Sequence, residues 1–107
     1  MSVVLNQKEL LKALQPPKMK RGQIPKTTEM RGTLSGNITI TAPAHETKLK
    51  GIGAFPYHVV ANARILHEMV KKLPKSETVE IDRLENQLLF RIGSFVLQFN
   101  AIEIRRL

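Results

Sequence analysis

The signals for one strand, one capped helix and three further strands occur in the first half of this chain and again, in the same order, in the second. At an offset of 56 residues Val3, Val4, Asn6, Lys8, Leu10 and Leu14 correspond to Val59, Val60, Asn62, Arg64, Leu66 and Val70. Beyond the helices the offset becomes 50, where Leu34, Gly36, Ile38 and Ile40 correspond to Leu84, Asn86, Leu88 and Phe90. The connection after the first helix is therefore six residues longer than the one after the second. Self-similarity of this kind means one supersecondary unit used twice. The fold must bury the apolar faces of both copies together.

Within the first copy, Ser2–Leu5 reads as a strand and Asn6 as an N-cap, with Glu9 placed as in a capping box. Leu10, Leu11 and Leu14 form an apolar stripe, and Pro16–Pro17 ends the helix because proline lacks an N–H. A basic loop over 18–27 follows. Glu29–Leu34 alternates with Met30, Gly32 and Leu34 on one face, Asn37–Thr41 alternates through Ile38 and Ile40, and Thr47–Ile52 is a strand with Lys48 and Lys50 outward. In the second copy Tyr57–Ala61 is a strand, and Asn62 caps a helix through Leu73 that buries Leu66, Met69, Val70 and Leu73. Strands over Thr78–Asp82, Gln87–Ile92 and Phe95–Ile102 are separated by turns at Glu85–Asn86 and Gly93–Ser94, with Phe95 among the inward residues. The predicted core is Leu10, Leu14, Ile38, Ile40, Leu66, Val70, Val79, Ile81, Leu88, Phe90, Leu97 and Phe99. The expected fold is α+β: a duplicated β-α-β-β-β unit with two helices packed on one face of an antiparallel sheet. One domain over 1–107 is expected, with half-repeats of about 1–53 and 54–107. The last strand has no Lys or Arg over Phe95–Asn100, so at a sheet edge it would pair with another copy, giving a homo-oligomer.

Charge is unevenly spread. Seventeen Lys and Arg against nine Asp and Glu leave the chain at +8. Residues 1–53 carry nine positive and three negative charges, and residues 54–107 carry eight and six. Such a surface attracts polyanions, of which nucleic acid is the commonest. Several familiar chemistries find no support. There is no cysteine for a disulfide or a thiolate metal site. His45, His58 and His67 match no metal-ligand spacing, so neither a metal nor a cofactor is expected. No G-x-S-x-G occurs, Gly51-Ile-Gly53 lacks the rest of a phosphate loop, and Glu80, Asp82 and Glu85 read as a solvated edge, so no enzymatic activity is expected. Neither a basic leader nor a run of about 20 apolar residues is present, which points to a cytoplasmic protein without a membrane partner.

Several segments resemble the bacterial DNA sliding clamp, the beta subunit of DNA polymerase III. VVLNQKELLKALQ is similar to the opening strand and helix of one clamp domain, LSGNITITAPAHETKLKG to its hairpin, and VVANARILHEMVKKLP to its second strand and helix. VEIDRLENQLLFRIGSFVLQFNAI resembles the final meander, and Arg106–Leu107 the Arg-Leu ending of many clamps. A bacterial clamp chain carries three such domains where this sequence carries one. The resemblance implies a non-enzymatic, processivity-type module in DNA replication or repair whose helices face duplex DNA. The implied backbone contacts are Lys8, Lys12, Lys18, Lys20, Arg21, Lys26, Arg64, Lys71, Lys72 and Lys75. These residues also form the polar faces of the two amphipathic helices and the basic loop, the positions from which Lys and Arg meet phosphates without reading bases. An alternative of another class is a protein–protein adaptor that does not bind DNA. It would take a replication or repair partner in an apolar groove at Ile102, Ile104, Arg106 and Leu107.

Overall fold

Both helices begin on an asparagine that satisfies the same orphan amide. In a computed structural model describing residues 1–15, 27–43 and 45–107, Asn6 Oδ1 accepts from the Glu9 amide at 2.9 Å and Asn62 Oδ1 from the Ile65 amide at 3.0 Å. Each cap has extended backbone and belongs to the preceding strand, so strand passes into helix without a loop. The elements run β1 (Val3–Asn6), α1 (Gln7–Leu14), β2 (Thr27–Gly32), β3 (Asn37–Thr41), β4 (Glu46–Lys50) and β5 (Ile52–Gly53). The same series follows as β6 (Tyr57–Asn62), α2 (Ala63–Lys71), β7 (Thr78–Leu84), β8 (Gln87–Ile92), β9 (Phe95–Asn100) and β10 (Glu103–Arg106). The basic-loop residues Lys18, Lys20, Arg21 and Lys26 lie outside the described residues.

The strands form two five-stranded antiparallel sheets, ordered β5-β1-β7-β8-β9 and β10-β6-β2-β3-β4. The α+β class and the repeated order of elements match expectation, but two sheets stand where one was expected. Each sheet takes two strands from one copy of the unit and three from the other. The seams are β1 against β7, with Val3 opposite Ile81 and Leu5 opposite Val79, and β2 against β6, with Met30 opposite Val59. All of these side chains are buried.

Two predicted strands are split because the chain changes sheet within them. Thr47–Ile52 breaks at Gly51, whose amide donates to the Gly36 carbonyl at 3.0 Å before β5 joins β1 in the other sheet. A Cβ at Gly51 would stand 2.6 Å from Val3 Cγ2 and 2.7 Å from Leu5 Cδ2, so the crossing needs a bare backbone. The second copy makes the equivalent step at the same offset: Ala101 donates to Asn86 at 3.0 Å, and β10 then pairs with β6. Alternation sets Leu34 on the same face as Met30 and Gly32, which are buried, yet Leu34 is 68% exposed. Strand β2 stops at Gly32, where any side chain would collide with the Phe55 carbonyl, and Leu34 falls in the turn beyond. Phe95, expected inward, is 41% exposed at the margin of its sheet.

Side chains from both sheets and both helices form one core cluster. Every predicted core residue is buried in it except Leu97, which packs half-buried at its margin. Leu66 has no exposed surface. Leu66→Ala is expected to cost about 2–5 kcal/mol in urea unfolding, as a large-to-small change in a packed core. A loss below ~1 kcal/mol would show that α2 does not present this face to the sheets.

Candidate nucleic-acid interface

Helix phase decides where the cations go. In α1 the buried residues are Leu10, Ala13 and Leu14, which leaves Lys8, Lys12 and Gln15 exposed along one side with Leu11 half-buried among them. In α2 the buried residues are Ala63, Leu66 and Val70, which leaves Arg64, Lys71 and Lys72 exposed and His67 half-buried. Residues four apart on a helix are surface neighbours, so Lys8 and Lys12 form one pair and His67 and Lys71 another. The two helices pack together, and the pairs line a shared groove of about 350 Å³ together with Leu11 and Gln15. A wider groove of about 740 Å³ continues from it past Lys8, Leu11 and Lys71 to Leu73 and Lys75.

Gln7 fastens this seam at one end. Its Nε2 donates to the Pro74 carbonyl at 2.8 Å, and its Oε1 accepts from the Ser76 amide at 2.8 Å. The Gln7 amide donates in turn to the Glu77 carbonyl at 3.0 Å. The first turn of α1 is thereby tied to the segment after α2, and Lys8 and Lys75 line the same groove. Neither Gln7 nor His67 was singled out in the sequence as part of this face. Glutamine after an N-cap is an ordinary helix residue, and the groove brings together side chains more than fifty positions apart.

Four acids are engaged on the strands, while Glu9 and Glu68 lie on the helices and Glu77 lines the wider groove. Arg91 on β8 bonds both Glu80 and Asp82 on β7 at 3.1 and 3.0 Å, and these bonds raise its already high pKa. Met1 pairs with Asp82, His58 with Glu29 and Arg105 with Glu103. Among the described residues no ion pair includes Lys8, Lys12, Arg64, Lys71, Lys72 or Lys75. Arg64 and Lys72 are exposed on α2 without lining either groove. The three histidines lie apart: His45 meets the Ala13 carbonyl at 3.2 Å, His58 meets Glu29 at 2.8 Å, and His67 sits between the helices. Gly51 and Gly53 serve the crossing between sheets.

The residues expected to line an apolar groove near the chain end differ in exposure. Ile104 is buried, because pairing of β10 with β6 sets it opposite Val59 on the core side. Ile102 and Leu107 are exposed, and the Arg106 guanidinium lies 5.8 Å from the Tyr57 ring centroid, with Arg83 at 4.9 Å from the same centroid. Among the described residues no helix is long and apolar enough to cross a membrane.

No family model matches the sequence, and no curated protein matches it. Solved structures do. The beta subunit of a DNA polymerase from Streptococcus pyogenes superimposes with a TM-score of 0.74 over 96% of this chain and 30% of that one, at 13% identity. The DNA polymerase sliding clamp of Bacillus subtilis gives 0.68 at 18% identity, covering 96% of this chain and 31% of that one. The Helicobacter pylori beta clamp, solved with a DNA ligase peptide, gives 0.69 at 9% identity with the same coverage of 96% and 31%. This chain therefore spans about 30% of the length of the clamp chains it resembles, and its fold is that of one clamp domain.

Burial between the helices, and after it the charge of Lys71, hold the His67 pKa below its usual value near 6.5, against a smaller opposing pull from Glu68. The folded state therefore binds this proton less readily than the unfolded chain does. His67 does not oppose folding above about pH 6.5, and stability falls as the pH drops from there through the folded pKa. His67→Gln is expected to flatten this part of the stability–pH curve, measured by urea unfolding. An unchanged curve would assign the acid sensitivity to other groups.

Proposed function

We propose that this chain is a non-enzymatic clamp-fold module that holds duplex DNA by its phosphate backbone, in the manner of a processivity factor in replication or repair. The observation that carries this reading is the set of cations on and beside the seam between the helices that make no ion pair among the described residues, on a fold shared with the clamp subunits of DNA polymerases. Lys8, Lys12, Arg64, Lys71, Lys72 and Lys75 are its candidate backbone contacts among the described residues, and Lys18, Lys20, Arg21 and Lys26, which follow α1 in the sequence, are candidates outside them. Such contacts are indifferent to base sequence and release counterions. Six to eight of them give a log–log salt slope of roughly −5 to −7 on duplex DNA. Replacing Lys8, Lys12 and Lys71 together with Ala is expected to flatten that slope by up to about 3 units. Little stability should be lost, since exposed charges contribute little to it. Retention on closed circles with loss from linear ends would indicate encirclement, whereas equal binding to both would indicate an ordinary basic binder. No binding to either at low salt would overturn the proposal in favour of the adaptor, with Ile102, Arg106 and Leu107 as its exposed candidate contacts.

We further propose that copies associate through sheet edges, and that residues 1–107 act as one unit because each sheet is shared by both half-repeats. Among the described residues, β9 is hydrogen-bonded on one side only and carries no Lys or Arg, while β4, at an edge of the other sheet, carries Lys48 and Lys50. An uncharged edge invites pairing. If β9 of one copy meets β4 of the next, the contact is heterologous and closes into a ring when the rotation permits. Light scattering in the high micromolar range is expected to give a mass above the 12.1 kDa of one chain. Val96→Lys, which puts a charge on the half-exposed face of β9, should lower that mass towards one chain. A strictly monomeric parent would exclude the edge contact.

A further inference from the structure

Sitting half-buried between α1 and α2, His67 is lined by Lys8, Leu11, Lys12, Gln15 and Lys71, with no carboxylate in the lining. Lys8 and Lys12 face it from α1. On α2 Arg64 stands one turn before it and Lys71 one turn after, with Glu68 as its neighbour in sequence. The strands packed against α2 are β2 and β6. Of their ionisable residues, Glu29, Arg31 and His58 alternate with the buried Met30 and Val59 and so belong to the opposite face of the sheet, where Glu29 and His58 bond each other, while Tyr57 shares the core face with Val59 and packs edge-on against Phe55. Among the described residues, then, the charged groups that share the groove with His67 are the three ammonium groups of Lys8, Lys12 and Lys71.

That setting disfavours the protonated ring, and an anion in the groove opposes the part of the effect that comes from charge. Desolvation and Lys71 disfavour the imidazolium while the groove is empty of negative charge. A phosphate among the same ammonium groups cancels their repulsion, and imidazolium N–H donors make charge-assisted bonds to its oxygens. We propose that the groove is a phosphoryl-anion site that takes up a proton with its ligand: a phosphate held by Lys8, Lys12 and Lys71 draws a solvent proton onto His67, which becomes a further cationic contact. This deepens the backbone-holding reading and rests on it for the source of the phosphate. DNA is then held more tightly as the pH falls, and the change comes from one side chain.

The test follows the His67 ring resonance of the full chain by NMR through a pH titration, alone, with short duplex DNA and with inorganic pyrophosphate. DNA affinity is measured in parallel between about pH 7.5 and 5.5 for the parent and His67→Gln. Both anions are expected to raise the His67 pKa. Parent affinity for DNA should rise towards the acid side by up to about tenfold for each unit of that rise, and His67→Gln should lose this gain. DNA binding that leaves the His67 titration unmoved, or a full acid-side gain retained by His67→Gln, would overturn the inference and leave the proposed function intact. A rise with pyrophosphate but no binding of DNA would uphold the groove as a phosphoryl site and remove duplex DNA as its source. Failure of both DNA and pyrophosphate to bind would overturn the inference and the proposed function together.

Discussion

The exchange of strands between the two copies of the repeated unit is the constraint on which the rest of this structure depends. Strand β1 leaves its own α1 and pairs with β7 of the other copy, and β6 pairs with β2, so neither copy completes a sheet from its own strands. Without that exchange β1 would keep only the two-residue β5 as a partner, and the backbone groups now met by β7 would turn to water or to another strand. Apolar pairs such as Val3 with Ile81 and Met30 with Val59 lie along the two seams. Hydrogen bonding and burial thus demand the same partner, and this agreement gives a sequence one structure.

The helix arrangement follows from that exchange. Each helix starts on an asparagine that is also the last residue of a seam strand, so the sheets fix where the helices begin and which way they turn. Once Leu10 and Leu14, and Leu66 and Val70, are committed to the core, the lysines of α1 and α2 come to share one seam. Gln7 holds that seam closed at one end through bonds to Pro74 and Ser76. Glu80, Asp82 and Glu103 on β7 and β10 pair with Arg91 and Arg105, and Glu29 on β2 bonds His58. The seam lysines have no such partner among the described residues, so their charge stays available to an anion.

Glycine and alanine at the two crossings show how a duplicated unit is adjusted. Gly51 and Ala101 make the same backbone bond at the same offset, to Gly36 and Asn86. In the first copy the strand leads to a two-residue β5 beside the close-packed Val3 and Leu5, which leaves no room for a side chain. In the second it leads to a four-residue β10 that tolerates Ala101. The same connection has been fitted to two neighbourhoods, and the more crowded one carries the glycine.

What the sequence determined by itself is everything that rests on local chemistry and period. Asn6 and Asn62 mark the helix starts because a side-chain oxygen three residues before an orphan amide has one good use. Alternation through Ile38 and Ile40, or Leu88 and Phe90, marks strands and their buried faces because the pleat has a period of two. The offsets of 56 and 50 revealed the duplication, and with it the clamp-like order of elements. Tertiary structure alone decided which strands pair across the copies, and therefore that there are two sheets. It turned Ile104 into the core, left Leu34 and Phe95 exposed, and set His67 among lysines. Strand pairing is a contest among long-range partners that all show the same alternation. Its outcome depends on the summed burial and backbone bonding of the whole chain, which no local window of sequence contains.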